Sequence, residues 1–187
     1  RRARRRPPRE RAPGRRRLNL RKTLFILPNL ITLSAIFCGF DSIRLSAAAE
    51  SEDDLYRAAL LIVFAMFFDM LDGRVARMTK TQSAFGVQID SLADVISFGV
   101  APGILVYSWM LNRFGVAGLF VSFLFCAAAA VRLARFNVLT MGESGKPSKP
   151  SKYFLGLPTP GAAGILVSIV VANHAVEGAI GRAEDAW

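Results

Sequence analysis

The sequence is poor in the residues that build zinc sites and disulfide scaffolds. It contains one histidine and two cysteines in 187 residues. Cys38 and Cys126 lie in apolar runs with no cysteine or histidine at metal-ligand spacing, so we expect buried free thiols. The single histidine, His174, lies near the end of an apolar run, where we expect it to pack or to face solvent rather than to act in catalysis.

Acidic residues are scarce at the N-terminus. The first 22 residues hold 12 of the 24 Lys and Arg but only 1 of the 14 Asp and Glu, so the net charge of +10 belongs to this tail. The tail has no aromatic residue before Phe25 to stack on bases. We therefore expect a basic anchor on anionic membrane lipid and no nucleic-acid binding. No apolar segment with a small-residue cleavage site adjoins the arginines, so no signal peptide is visible.

Charge is absent from four long stretches of the remaining chain. A helix needs about 20 mostly apolar residues to cross a bilayer. The four stretches are Thr23–Phe40, Val95–Asn112, Phe114–Val131 and Tyr153–Val176. A fifth run, Ala58–Phe68, is shorter and stops at Asp69, and between the other spans it indicates a helix from about Leu55 to Arg77. The sequence predicts an all-α, polytopic transmembrane helix bundle with five spans.

Basic segments alternate with basic-poor segments across these five spans. The tail, Arg74–Ser83 and Arg132–Lys152 are basic, whereas Ala47–Asp54 is acidic. By the positive-inside rule, this alternation puts the N-terminus in the cytoplasm. We expect a basic cytoplasmic tail over residues 1–22 and a transmembrane domain over residues 23–187, in a multi-pass protein of the inner (cell) membrane.

Four acids interrupt the apolar pattern near the ends of two spans. Residues three or four apart share a helix face, so Asp69 and Asp72 lie on one stripe, and Asp90 and Asp94 lie on another. Two antiparallel helices joined by a short basic turn would bring these stripes together. A charge near the membrane centre costs about 2.5–3.5 kcal/mol on insertion scales, so we expect a compensating positive group. Hard oxygen ligands at a water-facing site suit Mg²⁺ or Mn²⁺ bound with substrate phosphates.

Small residues accompany the acids on both stripes. Gly73, Ala76 and Gly86 would leave space beside the carboxylates, and Arg77 could hold a phosphate in a bidentate fork. Acid composition alone leaves two other hypotheses open. In one, the acids pair with arginines and only fix helix packing, and in the other they form the cation path of a transporter. The arginines available for such pairing are Arg74, Arg77 and Arg135.

One spaced motif contains all of these acids and small residues. It reads Asp69-x2-Asp72-Gly73-x2-Ala76-Arg77-x8-Gly86-x3-Asp90-x3-Asp94. Its eight fixed positions resemble, without a gap, the signature of the CDP-alcohol phosphotransferase family of membrane enzymes. Upstream, Pro28-Asn29-Leu30-Ile31-Thr32 resembles the family's Pro-Asn-x-x-Thr element.

Two later stretches, Arg132–Asn137 and Phe154–Ala163, resemble the branch of this family that makes phosphatidylserine. Members of that branch usually have at least six spans. The resemblance therefore implies that the chain is truncated and that its transmembrane domain is incomplete at the C-terminus.

The resemblance implies a reaction and a partner set. The phosphatidyl group of CDP-diacylglycerol would pass to the hydroxyl of L-serine, giving phosphatidylserine and CMP, in phospholipid biosynthesis. Mg²⁺ or Mn²⁺ would be the cofactor, Asp94 the general base, and the assembly a homodimer of membrane helices. Another acceptor, glycerol 3-phosphate or an inositol phosphate, stays open as an alternative.

The resemblance also implies which residues bind each ligand. The metal would be bound by Asp69, Asp72, Asp90 and Asp94. The CDP-lipid would be bound by Asn29, Thr32, Gly73, Ala76, Arg77 and Gly86. The serine carboxylate needs a cation, and Arg132 and Arg135 share a helix face, with Lys152 as a third choice. Each of these three could equally be a positive-inside anchor.

Overall fold

The computed structural model describes residues 20–79, 84–140 and 156–184, and within these ranges the chain is helical apart from short connections. The helices are α1 (Leu20–Ala47), α2 (Glu52–Thr79), α3 (Ala84–Asp94), α4 (Ala101–Trp109), α5 (Val116–Thr140) and α6 (Thr159–Glu184). A π-helical segment, Val95–Val100, joins α3 to α4, and a 3₁₀ turn, Leu111–Phe114, precedes α5. The predicted all-α bundle is confirmed.

Four segments of these helices are long and apolar enough to cross a membrane, which makes this an integral membrane protein. They are Asn29–Ala47, Gly86–Trp109, Val116–Leu139 and Thr159–Gly178. Helix α2 has 28 residues, and therefore a length of about 42 Å, but charged residues towards both of its ends keep it out of this group. That α2 also crosses the membrane stays a prediction.

The predicted bounds of the second long span were wrong. The stretch Val95–Asn112 omits the start of this span, because the helix continues without interruption from α3 through the π-helical segment into α4. Asp90 and Asp94 therefore lie inside an apolar helix rather than ahead of it. The acids were taken to limit the span, but their side chains point into the protein, where they do not break the helix.

Helices α1 and α2 form an antiparallel pair. Thr32 Oγ1 donates a hydrogen bond to Asp72 Oδ2 at 2.8 Å, and Ser42 Oγ donates to the Ala58 carbonyl oxygen at 2.8 Å, so the two chains run in opposite directions. Their interface is lined by small side chains, which let helix backbones approach closely in a membrane. The buried alanines of this core include Ala35, Ala58, Ala59 and Ala65.

Helix α5 packs antiparallel along α3, the π-helical segment and α4. Asn137 Nδ2 donates to Ser91 Oγ at 2.8 Å near one end, and Ser122 Oγ donates to the Gly103 carbonyl oxygen at 2.6 Å near the other. The short turn before α5 ends at Gly115, whose φ of 57° favours glycine. This short turn contains Arg113, which separates the two uncharged stretches on either side of it.

Helix α6 packs against α2 and also contacts α4. His174 Nε2 lies 2.8 Å from Asp53 Oδ1, and the His174 ring stacks on Tyr56 with centroids 4.3 Å apart. This contact gives His174 the packing role expected of it. Cys38 and Cys126 are free thiols, as predicted, but only Cys38 is buried, and Cys126 is half-buried. The basic tail up to residue 19 and the basic stretch over residues 141–155 lie outside the described residues.

Candidate active site

Three carboxylates from two helices converge at one end of the bundle. Asp69 and Asp72 come from α2, and Asp90 comes from α3. One oxygen of each lies within 4.8 Å of the others. Asp72 is buried, with 5% of its surface exposed, whereas Asp69 and Asp90 are half-buried. The predicted facing stripes are therefore brought together.

Asp94 adds a fourth carboxyl group to this cluster. It lies one helical turn after Asp90, and its carboxyl group is within hydrogen-bond reach of that of Asp69. Its Oδ1 atom is buried and has no hydrogen-bond partner among the described residues. We refer to Asp69, Asp72, Asp90 and Asp94 as the acid cluster. A buried carboxylate oxygen without a hydrogen-bond partner among the described residues is available to a ligand.

Helix α1 supports the acid cluster from one side. It packs against both α2 and α3, whereas the described parts of α2 and α3 make few close backbone contacts with each other. The carboxylates therefore project into a gap between two helices that a third helix holds in place. Thr32 is buried on α1, and its hydroxyl group donates to one oxygen of Asp72, so α1 holds this carboxyl group in place.

The arginines do not neutralise the acid cluster in the described part of the protein. The ion pairs found there join Arg44 to Asp41 at 2.7 Å and His174 to Asp53 at 2.8 Å, and neither includes a cluster acid. Arg74 and Arg135 are both exposed. Among the side chains that the structure describes, the packing hypothesis therefore lacks its ion pairs, and four carboxyl groups stand together.

The donor set fits a hard divalent cation. Three carboxylate oxygens within 4.8 Å of one another, with a fourth acid bearing a buried unpaired oxygen, match the all-oxygen coordination that Mg²⁺ and Mn²⁺ prefer. Asp69, Asp72 and Asp90 would hold the ion, and Asp94 lies beside them.

The small residues of the motif are neighbours of the acids along the helices. Gly73 follows Asp72 directly, and Gly86 precedes Asp90 by one turn, and both are half-buried. Asn29 is half-buried on α1, one turn before Thr32. Ala76 and Arg77 belong to α2, but their side chains lie outside the described part of the chain. Their predicted contacts with the CDP-lipid stay predictions.

The candidate residues for the acceptor lie in different settings. Arg132 Nη2 donates to the Gly156 carbonyl oxygen at 3.2 Å, and so links α5 to the segment before α6. Arg135 is exposed one turn further along α5. Lys152 lies outside the described residues. Because Asn137 on the same part of α5 bonds Ser91 on α3, both arginines belong to the end of the bundle that carries the acid cluster.

Comparison with known proteins decides the family. The family model described as CDP-alcohol phosphatidyltransferase matches residues 25–183, a range that contains the whole acid cluster. The chain belongs to the CDP-alcohol phosphatidyltransferase family. The family resemblance seen in the spaced motif is thus confirmed.

Several relatives of this chain carry names that specify an acceptor. It is 43% identical over 158 residues to a CDP-diacylglycerol–serine O-phosphatidyltransferase of Helicobacter pylori, covering 83% of this chain and 62% of the relative. A protein of the same name from Mycobacterium bovis is 36% identical over 157 residues, covering 84% and 51%. An archaetidylserine synthase of Methanothermobacter thermautotrophicus is 43% identical over 144 residues, covering 75% and 56%. The chain thus spans about half to three-fifths of the length of these relatives.

The Thr32–Asp72 hydrogen bond predicts that Thr32, which the resemblance assigns to CDP-lipid binding, also supports metal binding. Losing a hydrogen-bond partner of a metal-ligating group typically costs about 10–100-fold in metal affinity. We expect Thr32→Val to weaken Mn²⁺ binding by about this factor and Thr32→Ser to bind normally, in calorimetric titrations of purified protein. Ser168→Ala is the control, because Ser168 is exposed and bonds its own helix. Normal Mn²⁺ affinity in Thr32→Val would contradict this role.

Proposed function

We propose that this protein transfers the phosphatidyl group of CDP-diacylglycerol to the hydroxyl group of L-serine, releasing phosphatidylserine and CMP. The observation that carries the proposal is the acid cluster, which stands in a gap between helices without an ion-pair partner among the described side chains. The names of the relatives support serine as the acceptor. Asp90 and Asp94 also lie within a helix that is apolar enough to cross a membrane, where a lipid-linked substrate would be accessible.

The reaction exchanges one phosphorus–oxygen bond for another. The serine hydroxyl oxygen attacks the phosphorus that carries the diacylglycerol, the bond from that phosphorus to the bridging oxygen breaks, and CMP leaves with the bridging oxygen. Asp94 accepts the hydroxyl proton, because its carboxyl group stands at the edge of the cluster with one oxygen unpaired. A divalent cation, Mg²⁺ or Mn²⁺, would supply the neutralisation of the diphosphate and polarise the phosphorus under attack.

The remaining residues of the motif would bind and orient the substrates. The absence of a side chain at Gly73 and the small Ala76 would let the cytidine approach α2 closely, and Arg77 would hold the diphosphate. Gly86 and Asn29 would border the nucleotide. Arg135 is the better placed cation for the serine carboxylate, because Arg132 already donates to the Gly156 carbonyl group.

The proposal includes the setting of the reaction. We place the acid cluster on the cytoplasmic side of the inner membrane, where CDP-lipid and serine meet, since basic segments flank the helix ends that carry it. Two copies of the chain would form a homodimer through membrane helices.

A comparison of acceptors tests the proposed reaction. Purified protein is supplied with CDP-diacylglycerol and Mn²⁺, and CMP is measured after separate additions of L-serine, glycerol 3-phosphate, inositol and inositol phosphate. We expect CMP release to rise strongly with serine only. Stimulation by glycerol 3-phosphate or an inositol compound instead would keep the chemistry and replace the acceptor.

The close approach of the nucleotide to α2 predicts the effect of a larger side chain at Gly73. Filling such a space typically costs about 1–3 kcal/mol, so Gly73→Leu should weaken CDP-diacylglycerol binding by about 10- to 100-fold. Ala76→Leu should behave in the same way. Gly178→Leu is the matched control, because a Cβ at Gly178 meets no atom within 4 Å. Binding of labelled CDP-lipid to each variant in detergent measures the effect. Normal affinity in both Gly73→Leu and Ala76→Leu would refute the close approach of the nucleotide to α2.

A further inference from the structure

The helix that carries Asp90 and Asp94 changes its winding immediately after Asp94. The π-helical segment Val95–Val100 begins there, and the backbone is helical on both sides, with φ −58° and ψ −45° at Asp94. Such segments are rare and occur often at functional sites. Each residue of an α-helix turns the chain by about 100°, and each residue of a wider π turn rotates it by less. The π-helical segment therefore changes the direction in which the side chains of α3 point relative to those of α4.

Two residues hold this segment against α1. Ser97 is fully buried, and its Oγ donates to the Ala35 carbonyl oxygen at 3.0 Å. One turn further along α1, a Cβ atom at Gly39 would lie 2.6 Å from Ser97 Oγ and 2.9 Å from Ser97 Cα. Because the second of these contacts is to backbone, a side chain at position 39 would push the two helices apart. Gly39 therefore permits the close approach in which the Ser97 hydrogen bond forms.

Helix α5 packs against the other side of the same segment. A Cβ atom at Gly99 would lie 3.4 Å from Ala129 Cβ, and the intervening Phe98 is 1% exposed. With α1 on one side and α5 on the other, the π-helical segment has little freedom to rotate. Its position fixes the direction of the residues one turn before Ser97, which include Asp94.

The same face of α1 also holds the other half of the acid cluster. Thr32, Ala35 and Gly39 follow the spacing of one helix face, and all three are buried. Thr32 bonds Asp72 of α2, whereas Ala35 and Gly39 contact Ser97. One face of α1 thus connects the two halves of the acid cluster.

We propose that Ser97 and Gly39 are positioning residues for Asp94, which set its carboxyl group against those of α2. The effect of this positioning on the reaction rests on the proposed function, in which Asp94 is the base. The positioning itself concerns only the geometry of the acid cluster, so it can be tested separately from the reaction.

The first test compares two buried serines that make equivalent bonds. Ser97→Ala and Ser42→Ala each remove a hydroxyl group that donates to a carbonyl oxygen of a neighbouring helix, and Ser42 lies away from the acid cluster. We expect similar losses in Tm for the two variants. Only Ser97→Ala should change the EPR spectrum of bound Mn²⁺. Only this variant should also lower kcat, by about tenfold, which is less than the roughly 10²-fold loss that a 1 Å misplacement causes. The KM for CDP-diacylglycerol should not change.

The second test compares two glycines at helix contacts. Gly39→Ala should lower kcat by about 10²-fold, because the added methyl group separates α1 from the π-helical segment. Gly103→Ala is the control, since a Cβ there would lie 3.3 Å from Ser122 Oγ at a contact between α4 and α5. If Gly39→Ala does not fold, Ser97→Ala still decides the matter.

A third measurement needs neither metal nor activity. In protein lacking Cys38 and Cys126, Asp69→Cys with Asp94→Cys should form a disulfide on mild oxidation, because the two native carboxyl groups lie within hydrogen-bond reach. Adding Ser97→Ala should slow this crosslinking several-fold, and adding Ser42→Ala should not.

An unchanged Mn²⁺ spectrum together with an unchanged crosslinking rate in Ser97→Ala would overturn the positioning role. Failure of the wild-type protein to release CMP with serine would instead overturn the proposed function, and crosslinking would still test the geometry.

Discussion

Replacing Asp94 by asparagine should lower the rate of CMP release by about 10²–10⁴-fold, the usual cost of losing a general base. The amide keeps the shape of the side chain and one oxygen, but it cannot accept the serine proton. Mn²⁺ and CDP-diacylglycerol should still bind, because Asp69, Asp72 and Asp90 bring their oxygens within 4.8 Å of one another without it.

The matched variants for this prediction are Asp69→Asn and Asp72→Asn. Each removes charge from the same acid cluster, but at a residue that would hold the metal. We expect both to bind Mn²⁺ more weakly and to recover activity partly as the Mn²⁺ concentration rises. Recovery of Asp94→Asn to a nearly normal rate in excess Mn²⁺ would show that Asp94 is chiefly a ligand, and the proton acceptor would then be another group.

Removing divalent cations should abolish activity. The physical reason is charge: four acids stand together without an ion-pair partner among the described side chains, and the diphosphate of the substrate adds further negative charge. EDTA-treated protein should release no CMP above background, and activity should return when Mg²⁺ or Mn²⁺ is added in excess of the chelator.

Binding measurements complete this prediction. The metal-free protein should also bind CDP-diacylglycerol poorly, because the uncompensated acids repel the diphosphate. Ca²⁺ is a useful comparison, since it takes oxygen ligands at longer distances and in a more flexible geometry. Undiminished CMP release in metal-free buffer would exclude the metal from the mechanism.

The two halves of the acid cluster could be predicted from helical periodicity. Asp69 and Asp72 are three apart, and Asp90 and Asp94 are four apart, so each pair shares one helix face. The partner of Asp72 could not be predicted, because Thr32 lies 40 positions away on a helix whose packing the pattern does not specify.

The ends of the helices were harder to predict than their existence. Charged residues were taken to end the spans, yet α5 continues through Arg132 and Arg135 to Thr140. Such side chains can stay on a helix that passes beyond the apolar layer. The described helix α6 begins at Thr159, directly before Pro160, since proline is favoured in a first helical turn.

The contact between Gly39 and Ser97 left no recognisable signal in the sequence. Ser97 lies three residues after Asp94, but α-helical periodicity does not reveal a π-helical segment. Gly39 lies in an apolar helix, where the sequence does not show which glycines make helix contacts. The structure separates it from Gly178, because position 39 has no room for a side chain and position 178 is open.

The central claim is that the acid cluster couples CMP release to the formation of a serine-linked lipid. The most direct measurement supplies purified protein with CDP-diacylglycerol, Mn²⁺ and labelled L-serine, and follows CMP and lipid-linked serine in the same reaction. We predict that the two products appear in equal amounts and that both are lost together in Asp94→Asn. CMP released without lipid-linked serine, or no CMP release at all from folded, metal-loaded protein, would contradict the claim.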